Sequence, residues 1–251
     1  MSEYLIKKQI ILKKLLIDIM TICIKNQINA WIDSGTLLGI EREGDLLNWD
    51  DDIDICVIRE DYNRFSNLIS QEKKLFITTK YYLKNGKFFK ISKVGYYGNF
   101  DFCLADIFIM DAVDKENINK WFCNKKSVSN YIYQIIGSKC NASFFCYETN
   151  DGLINKINAV IEKNTSCNGN NRDRSVLTYG IGEIFPNKSF YINFYDVIPL
   201  QICRYYEHFI LKPNLPGEYL TNMYGDNYMT PNQSNFIHYK LNEFRRHILN
   251  N

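Results

Sequence analysis

Four carboxylates stand within five positions of this chain and run directly into an apolar segment. Residues 50–54 read D-D-D-I-D, and the letters that follow are ICVI. Because β-branched and apolar residues dominate 52–58, this segment is predicted to be a strand. Alternate side chains of a strand share one face, so we expect Asp50, Asp52 and Asp54 to lie together. Carboxylates this close repel one another strongly unless a cation lies among them.

The donor set indicates which cation that is. Mg²⁺ prefers a few carboxylates together with phosphate oxygens and water, which suits a D-x-D pair facing a nucleotide. Asp106, in the apolar run LADIF, is the candidate third carboxylate from a neighbouring strand. The sequence therefore predicts Mg²⁺ or Mn²⁺ on Asp52, Asp54 and Asp106. A solvated acidic turn, with Asp106 as a helix cap or turn acid, is the alternative, whereas the acid spacing does not fit an EF-hand.

Four further residues are candidates for contacts with a phosphate. Gly35 and Thr36 follow a short strand and precede a helix, where backbone N–H groups can approach an anion. Arg42 has the planar fork that binds phosphate, although a surface ion pair with a neighbouring glutamate explains it equally well. Lys90 stands in the apolar strand FFKISK. It is either a substrate contact or a lysine that extends from a sheet edge into solvent.

The hydrophobic periodicity mixes helices and strands without strict alternation. This favours an α/β or α+β fold, a mixed β-sheet flanked by helices. Asn85-Gly86 between two β-rich runs predicts a hairpin. The predicted elements are a helix over 3–28, a strand over 30–33, a tight turn at SGT, a helix over 36–42, a strand over 100–110, a helix over 153–163 and a surface loop over 164–175.

Charge and cysteine content exclude several protein classes. A formal net charge of +2 gives no electrostatic case for a nucleic-acid partner. The eight cysteines form no C-x-x-C pair, and with three histidines this argues against structural zinc. We expect the thiols to be reduced and the protein to be cytoplasmic. Asp18 interrupts the apolar N-terminal run, so an amphipathic helix explains that run better than a signal peptide or a transmembrane segment.

Three blocks in fixed order resemble the LicD family, which includes bacterial phosphocholine transferases and is similar to fukutin-type ribitol-phosphate transferases. They are G-T-L-L-G-x-x-R-x-G at 35–44, W-D-D-D-I-D at 49–54 and the acid of D-I-F at 106–108. The segment 214–231 also resembles the closing motif of the family. The resemblance covers roughly residues 10–232. Relatives usually carry proline after D-I-F, where this chain has isoleucine.

The resemblance implies one nucleotidyltransferase-like domain over 1–251, with a variable insertion around 112–175 that shapes acceptor choice. Carried over residue by residue, Gly35 and Thr36 match the phosphate-facing turn and Arg42 the family arginine. Asp52 and Asp54 match the metal pair and Asp106 the third acid, as ligand or as general base. Tyr224, Gly225 and Asp226 match the C-terminal block, to which no role is assigned.

The activity implied is metal-dependent transfer of a phospho-alcohol from a CDP-alcohol, such as CDP-choline, to a sugar hydroxyl. The acceptor would be an oligosaccharide or glycolipid of the cell surface, and the protein would work in the cytoplasm or peripherally at the inner membrane face. Two alternatives stay open. One is nucleotidyl transfer to a sugar or phospho-sugar, and the other is a non-catalytic glycan- or metal-binding module.

Overall fold

The computed structural model describes residues 3–84, 87–98, 103–137, 151–165, 172–183 and 189–231. Its helices are α1 (Glu3–Lys25), α2 (Ser34–Glu43), α3 (Arg59–Gln71), α4 (Ile118–Gly137), α5 (Asp151–Asn164), α6 (Phe194–Val197) and α7 (Pro216–Tyr224). Its strands are β1 (Ala30–Ile32), β2 (Ile53–Ile58), β3 (Leu75–Lys84), β4 (Lys87–Tyr96), β5 (Leu104–Asp114), β6 (Ser175–Tyr179), β7 (Ile192–Asn193), β8 (Gln201–Tyr205) and β9 (His208–Lys212).

Seven of these strands form one mixed sheet, as the sequence predicts. Its order is β1-β2-β5-β4-β3, and β6 pairs with the far end of β5 and then with β7. Strands β2 and β5 are parallel, and every other pair in this sheet is antiparallel. Strands β8 and β9 form a separate hairpin. The parallel pair at the centre of the sheet determines where the functional side chains lie.

Most predicted elements are confirmed, with differences at their ends. The helix predicted over 3–28 ends at Lys25, and the predicted hairpin is the antiparallel pair β3 and β4. The Asn85-Gly86 turn itself and residues 166–171 of the predicted surface loop lie outside the described residues. The tight turn predicted at SGT is wrong, because helix α2 already begins at Ser34. Ser34 has φ +46, so one residue in the left-handed region makes the reversal from strand to helix.

Helix α1 is amphipathic and closes one side of the core. Its fully buried residues recur at helical spacing, as an amphipathic helix requires: Leu12, Leu15, Leu16, Ile19, Met20 and Cys23. Burying each leucine stabilises the fold by about 1.5–3 kcal/mol. A second apolar cluster lies where α4 and α5 cover the sheet, around Trp121, Ile132 and Ile161. Within the described residues, no helix combines the length and the apolar character that crossing a bilayer needs.

Candidate metal and phosphate site

The parallel pairing of β2 with β5 brings the three predicted carboxylates together. Asp54 on β2 is the register partner of Asp106 on β5, and both side chains therefore project from the same face of the sheet. Carboxylate oxygens of Asp52, Asp54 and Asp106 all lie within 4.8 Å of one another. Asp52 is exposed, Asp54 is partly buried and Asp106 is buried. We call these three residues the carboxylate triad, and its Asp52 side is open to solvent.

Asp50 lies beside the triad in a loop and not on the strand. Strand β2 begins at Ile53, so Asp50 and Asp52 precede it. Asp50, Asp51 and Asp52 form a second group whose carboxylate oxygens also lie within 4.8 Å of one another. Asp52 therefore belongs to both groups and lies close to Asp50 and to Asp54, but loop geometry and not strand alternation places Asp50 and Asp52.

Burial and the charges of neighbouring acids make three of the carboxyl groups, those of Asp50, Asp54 and Asp106, hard to ionise. Burial raises the pKa of Asp54 well above its ordinary value of 3.8, and the charges of Asp52 and Asp106 raise it further. The pKa of Asp50 is likewise raised, first by burial and then by Asp52. Burial also raises the pKa of Asp106, although the ammonium of Lys93 partly opposes that effect. A cation among these oxygens would relieve the repulsion.

Helix α1 fixes the loop that carries the acids, a role its apolar pattern did not indicate. The side-chain amide of Gln9 donates to the carbonyl oxygens of Leu47 (2.8 Å) and Asp50 (2.9 Å). Lys8 forms an ion pair with Asp51, with 3.0 Å between Nζ and Oδ2. Both α1 side chains are buried. The one trace of this role in the sequence is that Lys8 and Gln9 fall on the same helical face as the apolar Leu12.

Gly35 and Thr36 lie in the first turn of α2, directly against the acids. A Cβ atom on Gly35 would stand 2.7 Å from Oδ2 of Asp50, so a side chain there would displace that carboxylate. The hydroxyl of Thr36 accepts a hydrogen bond from the backbone N–H of Asp54 at 2.9 Å. The first amide bonded within α2 is that of Leu37, to the carbonyl of Asp33. Contact of the earlier amides with a phosphate remains a prediction.

A buried carboxylate, Asp33, lies behind the triad. Tyr179 and Tyr219 donate their hydroxyls to its two oxygens, at 2.6 and 2.8 Å. The thiol of Cys56 approaches the same carboxylate at 3.1 Å, and the backbone N–H of Asp33 donates to the carbonyl of Asp54. These partners are up to 186 positions away in sequence, so sequence spacing gave no signal for them. The network holds β1, β2, β6 and α7 in fixed positions around the acids.

The C-terminal block returns to the site through α7. Tyr219 of this helix donates its hydroxyl to Asp33 at 2.8 Å. Burial raises the pKa of Tyr224, and the charges of Asp33, Asp54 and Asp50 raise it further. Gly225 ends the helix with φ +89, and its N–H donates to the carbonyl of Thr221. Asp226 is exposed in the turn that follows. The C-terminal block, to which the family resemblance assigned no role, therefore packs against the carboxylate site.

Arg42 lies near the acidic loop but already has protein partners. Its guanidinium lies 5.7 Å from the ring centre of Trp49, the residue before Asp50. Its Nη2 pairs with Glu43 at 3.2 Å, and Nη1 is 3.5 Å from the carbonyl oxygen of Tyr228. The ion pair with a neighbouring glutamate, which was the alternative to phosphate binding, is therefore present. Binding of a phosphate by Arg42 remains a prediction.

The lysine at the triad is Lys93 and not Lys90. Lys93 is the register partner of Asp106, and its ammonium is ion-paired with that carboxylate. Lys90 lies three positions earlier on β4 and so projects from the opposite face of the sheet. There it pairs with the buried Glu183, with 3.2 Å between Nζ and Oε1. Of the predicted residues, the structure groups Gly35, Thr36, Asp52, Asp54 and Asp106 and places Lys90 apart from them.

The chemistry of the triad fits a hard divalent cation. Its donors are all carboxylate oxygens, which Mg²⁺ and Mn²⁺ prefer over nitrogen or sulfur. Three protein ligands leave coordination positions for water and phosphate oxygens on the open Asp52 side. The residues that would hold the cation are Asp52, Asp54 and Asp106, and the structure shows them close enough to share one ion.

Comparison with known proteins gives a family match for just under half of the chain. Residues 27–148 match the family model described as LicD/FKTN/FKRP, nucleotidyltransferase domain. This segment contains β1, α2, β2 and β5, and with them the whole carboxylate triad. The C-terminal block lies outside the matched residues.

Two curated relatives match shorter segments. An uncharacterized protein of Rickettsia typhi is 38% identical over 85 residues, which is 34% of this chain and 26% of the relative. An uncharacterized protein of Rickettsia prowazekii is 37% identical over 75 residues, or 30% of this chain and 28% of the relative. The chain thus spans about a quarter of the length of these relatives.

Among solved structures, the chain is similar to the crystal structure of ANT(2")-Ia in complex with adenylyl-2"-tobramycin. The TM-score is 0.27 and the sequence identity 14%, and the match covers 38% of this chain and 49% of that one. The fold assignment depends on the mixed sheet and on the family match.

Proposed function

Because residues 27–148 match the LicD family model, we propose that this chain is a phosphotransferase that moves a phospho-alcohol from a CDP-alcohol to a sugar hydroxyl. LicD is a transferase family and is generally metal-dependent. The observation that carries the proposal is the carboxylate triad, whose oxygens lie within 4.8 Å of one another on a solvent-open edge. The donor would be CDP-choline or a close relative, and the acceptor an oligosaccharide or glycolipid of the cell surface.

The triad would hold Mg²⁺ or Mn²⁺. Bound there, the ion would supply Lewis-acid stabilisation of the charge on the phosphate oxygens. The protein's own contribution is to hold Asp52, Asp54 and Asp106 in place before the donor arrives. Thr36 fixes the backbone of Asp54, and Gly35 leaves room for the Asp50 carboxylate. Gln9 holds the loop that carries Asp50 through a hydrogen bond to its carbonyl oxygen. This preorganisation lowers the cost of charge development in the transition state.

The transfer exchanges one phosphorus–oxygen bond for another. The acceptor's hydroxyl oxygen bonds to the phosphorus that carries the alcohol, and the bond from that phosphorus to CMP breaks. CMP leaves with the electron pair. The hydroxyl proton passes to Asp106 if Asp106 is the general base, or to water if Asp106 is a metal ligand. Both roles need the ionised carboxylate, which the ammonium of Lys93 favours.

The proposed compartment is the cytoplasm, where CDP-alcohols would be available, with peripheral attachment to the inner membrane face left open. Five cysteines are free among the residues that the structure describes. Reduced thiols are typical of cytosolic proteins.

The test is CMP release from a panel of CDP-alcohols in the presence of Mg²⁺. We expect one donor to yield CMP by slow hydrolysis even without acceptor, and D52N and D54N to lose that activity. Glu60→Gln, which removes an exposed acid on α3, is the matched control and should retain it. Comparable CMP release by the wild type, D52N and D54N would overturn the proposal. Metal affinity of D106N separates the two roles of Asp106, because loss of a general base alone leaves metal binding intact.

A second candidate is nucleotidyl transfer, which the description of the matched domain favours. It would use the same triad but transfer the nucleotide and release pyrophosphate or a phosphorylated leaving group. Mass analysis of the product distinguishes the two reactions. An acceptor that gains a phospho-alcohol supports the first, and one that gains a nucleotide supports the second.

A further inference from the structure

Lys93 stands in a cross-strand row with two acids of the triad. Asp54 on β2, Asp106 on β5 and Lys93 on β4 are register partners in neighbouring strands and share one face of the sheet. The ammonium of Lys93 donates to Oδ1 of Asp106. Only 17% of the Lys93 side chain and 12% of the Asp106 side chain are exposed. The interaction is therefore largely shielded from water, unlike a surface ion pair.

The Lys93 ammonium and a bound metal ion would both neutralise the charge of Asp106. Lys93 balances a carboxylate that would otherwise face Asp52 and Asp54 unpaired, and the charge of Lys80 on β3 acts on Asp106 in the same sense. A divalent cation on the triad would neutralise the carboxylates more completely than Lys93 does, because it would contact all three acids. Once the cation is bound, the Lys93 ammonium no longer has to neutralise Asp106, and it stays within one hydrogen bond of a carboxylate that would share the cation with the donor's phosphates.

We propose that Lys93 is a phosphate-binding residue that Asp106 holds as an internal counter-ion until metal and donor bind. This inference deepens the proposed function and rests on it. Three carboxylates with one divalent cation retain a net charge of −1, which opposes a donor pyrophosphate that carries about two negative charges. The Lys93 ammonium cancels that remaining charge. A lysine on a four-carbon stem can transfer its hydrogen bonds from Asp106 to a phosphate oxygen without movement of the strand.

The two roles of Lys93 have opposite consequences for binding. In the free protein its ammonium competes with metal for Asp106, so removing it should strengthen metal binding. In the metal-loaded protein it attracts the donor, so removing it should weaken donor binding. A lysine that only stabilised the sheet would not separate the two, because its loss would impair both or neither. Opposite changes in the two affinities are therefore the signature of the proposed role.

The experiment measures Mn²⁺ affinity without nucleotide and nucleotide affinity at saturating Mn²⁺, both by calorimetry. The variants are Lys93→Met, Lys93→Arg and Lys74→Met, the last removing a lysine that pairs with Asp18 away from the triad. We expect Lys93→Met to bind Mn²⁺ several-fold more tightly and CDP-choline at least tenfold more weakly. Lys93→Arg should restore donor binding, and Lys74→Met should match the wild type in both measurements.

The outcomes also separate this inference from the proposed function. If Lys93→Met weakens both ligands, or changes neither, Lys93 is a structural residue and the inference is wrong. If the wild type binds Mn²⁺ with UDP-glucose or ATP but not with CDP-choline, and Lys93→Met shows the opposite changes with that nucleotide, the proposed donor is wrong and the role of Lys93 stands. If the wild type binds no Mn²⁺, both are wrong.

Discussion

The hydroxyl of Thr36 accepts a hydrogen bond of 2.9 Å from the backbone N–H of Asp54. This bond connects the first turn of α2 to the start of β2, where the acids lie. Thr36 is fully buried, so no water replaces the hydroxyl if it is removed. We therefore expect Thr36→Val to destabilise the protein by about 1–3 kcal/mol, because a buried donor loses its partner. Denaturant unfolding of Thr36→Val and Thr36→Ser measures this. An equal loss in both variants would contradict the role of the hydroxyl, since serine retains it.

Gly35→Ala should disturb the acids more than it disturbs the fold. The new Cβ would stand 2.7 Å from Oδ2 of Asp50, so that carboxylate has to move, and the loop that carries Asp52 moves with it. We expect Mn²⁺ affinity to fall at least tenfold. Gly152→Ala in α5 is the matched control, because nothing lies within 4 Å of its added Cβ. A Gly35→Ala protein that binds Mn²⁺ as tightly as Gly152→Ala would argue against this packing.

The metal-free protein should lose stability as pH rises. Burial and neighbouring acids raise the pKa values of Asp50, Asp54 and Asp106 above their ordinary 3.8. The folded chain therefore binds these protons more tightly than the unfolded chain, and its free energy of unfolding falls as pH rises from near 3.8 through the raised pKa values. Melting temperatures across that pH range in EDTA measure the slope. D54N should show a shallower slope, and saturating Mn²⁺ should oppose the loss at the upper end. Identical slopes for the wild type and D54N in EDTA would be the contrary result.

All eight cysteines should titrate as free thiols. Cys23, Cys56, Cys103, Cys123 and Cys203 are free in the structure, and burial raises the pKa of Cys23 to about 12, which makes it unreactive in the folded protein. Cys140, Cys146 and Cys167 lie outside the described residues. Thiol titration of freshly purified protein should count eight under denaturing, non-reducing conditions and fewer in native buffer. A denatured count below eight would indicate disulfides and contradict a cytoplasmic location.

Local sequence patterns were sufficient to single out the three acids, because each lies within or directly before a recognisable strand. The β-branched run after Asp52 marked β2, and an aspartate inside the apolar run LADIF marked β5. The parallel register that joins Asp54 to Asp106 then completed the triad. The sheet itself followed from the same periodicity, together with the Asn-Gly hairpin signal between β3 and β4.

Register and long-range contacts could not be predicted in the same way. Lys90 and Lys93 are both lysines of one apolar strand, and only the pairing of β4 with β5 shows that Lys93 faces Asp106. Asp33 accepts hydrogen bonds from Tyr179 and Tyr219, which lie 146 and 186 positions away, and no short motif predicts contacts over such distances. Gln9 looked like part of an ordinary amphipathic helix, and its two carbonyl partners lie 38 and 41 positions away.

The central claim is that the triad binds a divalent cation that in turn binds the donor's phosphates. Two like charges 4 Å apart cost roughly 4 kcal/mol at an effective dielectric near 20, so a pyrophosphate should be repelled by the metal-free acids. Calorimetric titration of CDP-choline into the wild type, with Mg²⁺ and then with EDTA, tests this directly. The account predicts clear binding with Mg²⁺, at least ~100-fold weaker binding in EDTA, and no metal dependence in the D52N/D54N double variant. Equal affinity of the wild type for CDP-choline with and without divalent metal would contradict it.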